Sequence, residues 1–234
     1  YVDEGGVNSF ALPAPHSIAS ALYENFPLIA SNLSTTAQEV AIGITLALLV
    51  GFALALAIHF WPPVRRGIYP LAVGSQAIPF VVIAPLLVFW WGFGIVPKLV
   101  VIVIICFFPV VVTTVDGLAT VDPDQLKLLR TLDASRWQAF RFAELPAALP
   151  AALSGTRIAV TVGVIAAYIA ETTTAGTSSG LGYEIVTDGN AYQNARAWAA
   201  AVVLFVFAIA CFYALGLAER RLRPGNHPAR GEHR

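Results

Sequence analysis

Residues 121–146 read VDPDQLKLLRTLDASRWQAFRFAELP, a polar island between two long apolar runs. Residues 96–115 before it carry Lys98 as their one charge, and residues 152–170 after it carry Arg157. A membrane-crossing helix needs about 20 largely apolar residues, so both flanks read as spans and the island between them sits in water. The island itself has a pattern. Two short helices, at about 124–131 and about 136–142, are broken at Asp133-Ala134-Ser135. The first places Leu128, Leu129 and Leu132 for packing, and the second offers Trp137, Phe140 and Phe142. A shaped loop with charges of both signs and apolar anchors on short helices suits a groove on a partner better than it suits a linker.

Composition agrees with the flanks. Of 234 residues, 57% are hydrophobic and only 12% charged, where a soluble domain carries about 25% charge. The chain therefore reads as an all-α, polytopic membrane bundle. Its formal net charge is zero, which argues against nucleic-acid binding. Five spans are expected, at about 40–61, 68–91, 96–115, 152–170 and 197–217. The first has Gly43, Ala47, Gly51 and Ala55 at every fourth position, a ladder that lets another helix approach closely. The second contains Pro70, Pro79 and Pro85, so a kinked, central helix is expected there. The third is expected to break near Pro109, with Asp116-Gly117 returning the chain to water.

Eleven of the fourteen basic residues fall in the loop at Arg65 and Arg66, the island and the C-terminal tail. With five spans these lie on one side, and by the positive-inside rule that side is cytoplasmic. The division that follows is an external segment at 1–39, a membrane domain at 40–217 with a cytoplasmic loop at 117–146, and a basic tail at 218–234. The chain has no Met and begins at Tyr1; a further helix ahead of it, making six, is expected.

The island also resembles a known loop. In permease subunits of bacterial binding-protein-dependent ABC importers, the cytoplasmic coupling loop runs Glu-Ala-Ala, three residues, Gly, nine residues, Ile-x-Leu-Pro. Here Lys127, Leu128 and Leu129 fall on Glu-Ala-Ala, Asp133 on Gly, Ala143 on Ile, and Leu145-Pro146 match. The likeness is closer to the nitrate, taurine, alkanesulfonate and thiamine-precursor branch, where Leu-Gly-Ala-Ser-Arg-Trp is common and this chain has Leu132-Asp133-Ala134-Ser135-Arg136-Trp137. Gln76-Ala77-Ile78-Pro79, Ala84-Pro85-Leu86, Trp91-Gly92-Phe93-Gly94, Phe107-Phe108-Pro109 and Gly180-Leu181-Gly182-Tyr183 extend it along the chain. The resemblance implies a type I ABC importer permease fold in the bacterial inner membrane and a second permease copy. It also implies separate ABC ATPase subunits that bind ATP and Mg, and a periplasmic or lipid-anchored substrate-binding protein. It places Leu128, Leu129, Leu132, Asp133, Ala134, Ser135, Arg136, Trp137 and Phe140 against the ATPase.

This chain has no G-x-x-x-x-G-K-[ST] phosphate loop, so no cofactor is expected on it and nucleotide chemistry belongs to the partner. Asp133 stands where the family has Gly; Asp tolerates a left-handed backbone better than most residues, or it caps the second short helix. Ser75, Gln76 and Glu171 are candidates for the translocation path, Glu171 with an interfacial position as the equal alternative. Gly180-Leu181-Gly182-Tyr183 reads as an external turn, and the resemblance makes it a docking surface for the binding protein. Cys106 and Cys211 lie in apolar runs and read as small hydrophobes, and the four scattered His residues have no zinc spacing. The stretch around residues 108–118 most resembles permeases for thiamine-precursor pyrimidines or riboflavin, with nitrate or a sulfonate as runner-up. A secondary transporter would put ionisable groups at span centres, and a membrane enzyme would need an acid–base or metal constellation; neither pattern stands out.

Overall fold

The computed structural model of the chain describes residues 12–173 and 179–222. Residues 1–11 and the tail from Arg223 onward lie outside the described residues, as does the side chain of Gln76. The elements are all helical in order: α1 Pro15–Glu24, α2 Phe26–Phe60, α3 Pro62–Gly74, a 3-10 turn Ser75–Ala77, α4 Phe80–Trp91 and α5 Ile95–Leu118. There follow α6 Pro123–Thr131, α7 Arg136–Ala139, a π-helical turn Phe140–Glu144, α8 Leu145–Thr173, α9 Leu181–Asn190 and α10 Asn194–Leu222.

The helix ladder does what its spacing allows. A Cβ on Gly43 would run into the Ile102 side chain, and one on Gly51 into Val110 and the Phe107 carbonyl. Residue numbers rise together on the two helices, so α2 and α5 are parallel neighbours. From the other side, Gly155 faces Thr113 and the Pro109 carbonyl, Gly117 faces Ala148 and Ala151, and Gly163 faces Cys106 and Ile44. Numbers now run in opposite directions, so α8 is antiparallel to both. α5 is thus sandwiched by small residues, with Ile102, Cys106, Val110 and Val111 buried. Arg157 of α8 lies over the Phe212 ring of α10, 5.3 Å from its centroid.

Two parallel helices joined in sequence require a return crossing between them, and that crossing is α3 through α4. Four helices among the described residues are long and apolar enough to cross a membrane on their own, and α4 is a shorter apolar helix. The expectation of one kinked central helix at 68–91 is corrected. Pro79 has no N–H to give and its ring excludes a helical residue ahead of it, so Ile78 is extended (ψ 123°) and the helix restarts at Phe80. Nor is the segment central in the protomer, because Leu71, Val82, Phe89 and Trp90 are exposed.

Two further expectations shift, at the start of α2 and at Pro109. α2 begins at Phe26, not near residue 40. Its 35 residues span about 52 Å at 1.5 Å each, so its first turns project beyond the roughly 30 Å hydrocarbon layer. Pro62-Pro63 open α3, where a missing N–H costs nothing. α5 passes unbroken through Pro109 and on to Leu118, taking in Asp116-Gly117. Packing on both flanks holds it straight, and the Thr113 hydroxyl donates to the Pro109 carbonyl at 2.8 Å.

Candidate functional site

At the basic end of the bundle the island folds as two capped pieces. Asp122 caps α6 by accepting from the Asp124 N–H at 2.8 Å. The end of α6 closes with the Asp133 N–H on the Arg130 carbonyl (3.1 Å) and the Ala134 N–H on the Leu129 carbonyl (3.0 Å). This double closure needs a left-handed residue just past the helix, and Asp133 has φ 55°. The Gly of the family pattern thus falls at the residue that must turn left-handed. Asp133 does not cap the next helix; Ser135 does, in a capping box with Gln138.

Replacement of Asp133 by Gly is therefore expected to stabilise the island by about 0.5–1 kcal/mol and to leave ATPase binding intact. Asp133→Val, β-branched and intolerant of positive φ, is expected to cost about 1–2 kcal/mol. Thermal unfolding of the two purified variants checks both signs. Equal melting temperatures for Gly and Val would mean that the turn is not held left-handed.

α7 does not end as a separate helix. It passes through the π-helical turn into α8, making one rod of residues 136–173. Phe140 is only 4% exposed. It stacks on Trp137 (centroids 5.3 Å apart) and packs on Phe60 (5.0 Å). The expectation that Phe140 presents itself to a partner is corrected: the π turn rotates it inward, where it anchors the island on α2. Arg136 joins that anchor, donating to the Phe60 carbonyl at 3.2 Å and lying 5.5 Å from the centroid of the Phe60 ring. His59 and Glu144, unremarked in the sequence, pair at 2.8 Å beside it. What faces outward is Leu128, Leu132, Trp137 (59% exposed) and Phe142. Leu129 and Ala134 are half-buried, the latter on a cavity of about 390 Å³ that also touches His59, Arg130 and Glu144.

The opposite end holds a buried polar network that spacing along the chain did not reveal. Lys98 at the start of α5 is 3% exposed, and its Nζ donates to Glu39 Oε1 of α2 at 2.7 Å and to the Ser179 carbonyl at 3.2 Å. Glu171 near the end of α8 is 2% exposed. Its Oε1 accepts from the Thr36 hydroxyl at 2.6 Å and its Oε2 from the Gly182 N–H at 2.6 Å. The Leu181 N–H donates to Thr36 Oγ1 at 2.9 Å and the Gly180 N–H to Asn32 Oδ1 at 3.0 Å. Three spans therefore supply side-chain partners to the turn at residues 179–182. Glu171 lies buried inside the protomer, bonded to Thr36 and to the Gly182 N–H. Gly180, Leu181 and Gly182 are buried, which corrects their expected exposure as a docking turn: the motif is a foot set into the bundle.

α9 rises from that foot. Asn32 Nδ2 donates to Glu184 Oε2 at 3.0 Å, and Arg196 of α10 forms a two-pronged pair with the fully buried Asp188. Burial, and then the Asp188 charge beside it, push the Glu184 carboxyl above the usual carboxylate range, with Arg196 opposing. Glu39 and Lys98 were legible only as isolated charges at the ends of apolar runs, which is itself a functional signal in a membrane protein. Of the remaining path candidates, Ser75 is half-buried with its hydroxyl donating to the Ala72 carbonyl at 2.7 Å, and Gln76 sits in the 3-10 turn.

The long helices thus close on small residues, and a capped amphipathic loop sits at the basic end of the bundle. Residues 40–224 match the family described as the binding-protein-dependent transport system inner membrane component, and the chain belongs to that family. A probable ABC transporter permease protein of Haemophilus influenzae is 35% identical over 89% of this chain and 84% of its own length. The formylaminopyrimidine transport permease protein ThiX of Halalkalibacterium halodurans is 33% identical over 92% and 86%. The taurine transport permease TauC of Escherichia coli is 28% identical over 82% and 70%. Among solved structures, the MetNI methionine ABC transporter in an inward-facing form aligns with a TM-score of 0.73 at 16% identity, covering 86% of this chain and 98% of that one. An amino acid ABC transporter solved with histidines gives 0.66 at 20% identity, over 86% and 96%. The chain is thus a multi-pass inner-membrane permease subunit of an ABC importer, which works with ATPase and substrate-binding partners.

Proposed function

We propose that this permease imports a small neutral vitamin precursor, a thiamine-type pyrimidine or riboflavin, as a homodimer whose path runs past residues 75–79. The observation that carries the substrate reading is that residues 68–91 contain no charged side chain. An anion route normally shows basic residues, whereas Ser75 and Gln76 supply neutral hydrogen-bonding groups. The likeness to ThiX, and to the riboflavin permease RibX of Chloroflexus aurantiacus at 27% identity over 68% of this chain, supports the same class. The taurine and sulfonate relatives, at 28% identity, favour an anion as the alternative.

The dimer reading rests on the break in the second crossing. Irregular backbone at membrane depth is tolerated only against protein or a water-filled cavity, never against lipid. Residues 75–79 are irregular and lie midway along their crossing, yet Ile78 among them and the flanking Val73 and Val81 are exposed in the protomer. A second copy facing this break covers it and leaves the cavity between the two. The ATPase seats on Leu128, Leu132, Ala134, Ser135, Trp137 and the turn at Asp133, with Leu129, Arg136 and Phe140 bracing them from behind. Different ATPase states bind that surface differently and thereby shift the balance of inward- and outward-open forms.

Two assays test this. Copurification of the co-expressed ATPase with wild type, and its loss in Ala134→Glu plus Trp137→Ala at unchanged melting temperature, is the expected result for the island. Retention of the ATPase by that folded double variant overturns the seat. In vesicles carrying the complete transporter, ATP-driven uptake of labelled formylaminopyrimidine or riboflavin should resist a large excess of taurine. Uptake of taurine or nitrate in its place overturns the substrate reading.

A further inference from the structure

We propose that the cavity between the island and the end of α2 binds a phosphate group, carried either by the headgroup of an anionic phospholipid or by a soluble phosphate ester. The site goes beyond the substrate reading above and does not depend on it. The cavity holds about 390 Å³ and is walled by His59 of α2, Arg130 of α6, Ala134 at the bend, Arg136 of α7 and Glu144 of the π-helical turn. Each residue of a helix turns about 100° from the last, so Arg130 points away from the exposed Leu128 two positions before it. The cavity thus lies behind the face that Leu128 presents. Its charges do not balance. The wall has two guanidinium groups and one carboxylate, and that carboxylate, Glu144, already pairs with His59 at 2.8 Å. Arg136 gives its hydrogen bond to a neutral group, the Phe60 carbonyl. Arg130 has no ion pair among the described residues. The acidic residues that open α6 are engaged elsewhere, Asp122 as its cap and Asp124 with Lys127 at 2.8 Å. Two like charges on one cavity repel each other, and an anion between them removes that cost.

The kind of anion follows from the donors. A guanidinium is a planar fork that matches one edge of a phosphate, and two forks on separate helices suit a tetrahedral oxyanion that offers an edge to each. Arg136 is held ready for this. Its guanidinium lies 5.5 Å from the centroid of the Phe60 ring, so little side-chain freedom is lost on binding. The volume exceeds what a bare phosphate fills and leaves room for the group to which it is esterified. The position of the cavity brings lipid within reach. Phe60 is followed by Trp61, 59% exposed, and then by the exposed Arg65 and Arg66 of α3. An exposed tryptophan with arginines just beyond it marks the headgroup level of the cytoplasmic leaflet. A phosphate held by both Arg130 and Arg136 would tie α6 to α7 across the bend at residues 133–135, and through Arg136 to the end of α2. The island would then be stiffened by a ligand that is neither substrate nor nucleotide.

The test uses the full-length permease. Glycerol phosphate is titrated onto it by calorimetry at constant ionic strength, in nonionic detergent and in phosphatidylcholine nanodiscs. Melting temperatures are compared between nanodiscs of phosphatidylcholine alone and nanodiscs with added phosphatidylglycerol. Arg130→Gln is the lead variant, because that side chain is exposed and its loss breaks no ion pair among the described residues. Arg141→Gln removes an equal charge from an exposed site of the island outside the cavity. The expected result in detergent is binding of glycerol phosphate, weakened about tenfold or more by Arg130→Gln and less than about threefold by Arg141→Gln. The nanodiscs name the source. Binding of glycerol phosphate that depends on Arg130 in phosphatidylcholine assigns the site to a soluble ester, and stabilisation by phosphatidylglycerol that depends on Arg130 assigns it to the lipid. Absence of both responses overturns the proposal. Equal losses in Arg130→Gln and Arg141→Gln overturn it too, in favour of a diffuse charge effect. Competition between glycerol phosphate and the ATPase for the permease also overturns it, and gives the cavity to an acidic side chain of the ATPase.

Discussion

Lys98→Met is expected to destabilise the protein by about 3–5 kcal/mol, and adding Glu39→Leu is expected to recover most of that loss. Removing one member of a buried ion pair leaves the other charge stranded, at a cost of about 3–5 kcal/mol, whereas replacing both by apolar groups of similar size is often nearly neutral. The pair meets the condition for this asymmetry. Both side chains are buried at 2.7 Å separation, and the second carboxylate oxygen of Glu39 has no hydrogen-bond partner among the described residues. With Lys98 gone, Glu39 and Glu171 would face each other with no cation between them. The Ser179 carbonyl also loses its donor, so recovery in the double variant should stop short of wild type. Reversible thermal or denaturant unfolding in mild detergent reads the whole cycle. A double variant as unstable as the two single losses combined would show that the pair is not an interacting unit.

Gly180→Ala is expected to cost about 3 kcal/mol or more, the largest effect of any single methyl group in this region. Two separate penalties meet at that position. Its φ of 111° is a conformation that an L side chain rarely adopts, with strain of about 1–3 kcal/mol. The added Cβ would also run into the Glu171 carboxylate, which cannot retreat without releasing Thr36 and the Gly182 N–H. Each buried polar group so abandoned costs about 1–3 kcal/mol. Gly182→Ala should cost less, because its Cβ would lie 2.8 Å from Glu171 Oε2 but carries no positive φ. Gly189→Ala, with nothing within 4 Å and a place inside α9, should be neutral or stabilising by up to about 1 kcal/mol. Unfolding midpoints that rank the three in another order would mean that the foot is not the rigid element of this face.

The contrast between the two ends of the molecule explains what could be read in the chain. At the basic end the signals are local. Asp122 before Pro123, Ser135 three residues ahead of Gln138, and a turn residue at Asp133 each act over a few positions, so two short helices broken at 133–135 were legible, although the second is capped by Ser135 and not by Asp133. What escaped was the rotation introduced by the π-helical turn, which buries Phe140 and leaves Trp137 outside. That outcome depends on Phe60 and His59 being there to receive the ring.

At the other end almost nothing is local. Glu39 finds Lys98 across 59 positions and Thr36 finds Glu171 across 135. No spacing rule joins them. The sequence by itself marked the long apolar stretches and the shaped loop between them, because hydropathy over about 20 residues acts on each segment independently. The tertiary structure alone decided that the second crossing breaks at Pro79 and lies at the protomer's edge, and that Gly180-Leu181-Gly182 is a buried foot. It alone decided which charges become partners. Those outcomes follow from which helix faces meet, and small residues from two separate runs, at 43 and 51 and at 155 and 163, set the close approach that makes them meet.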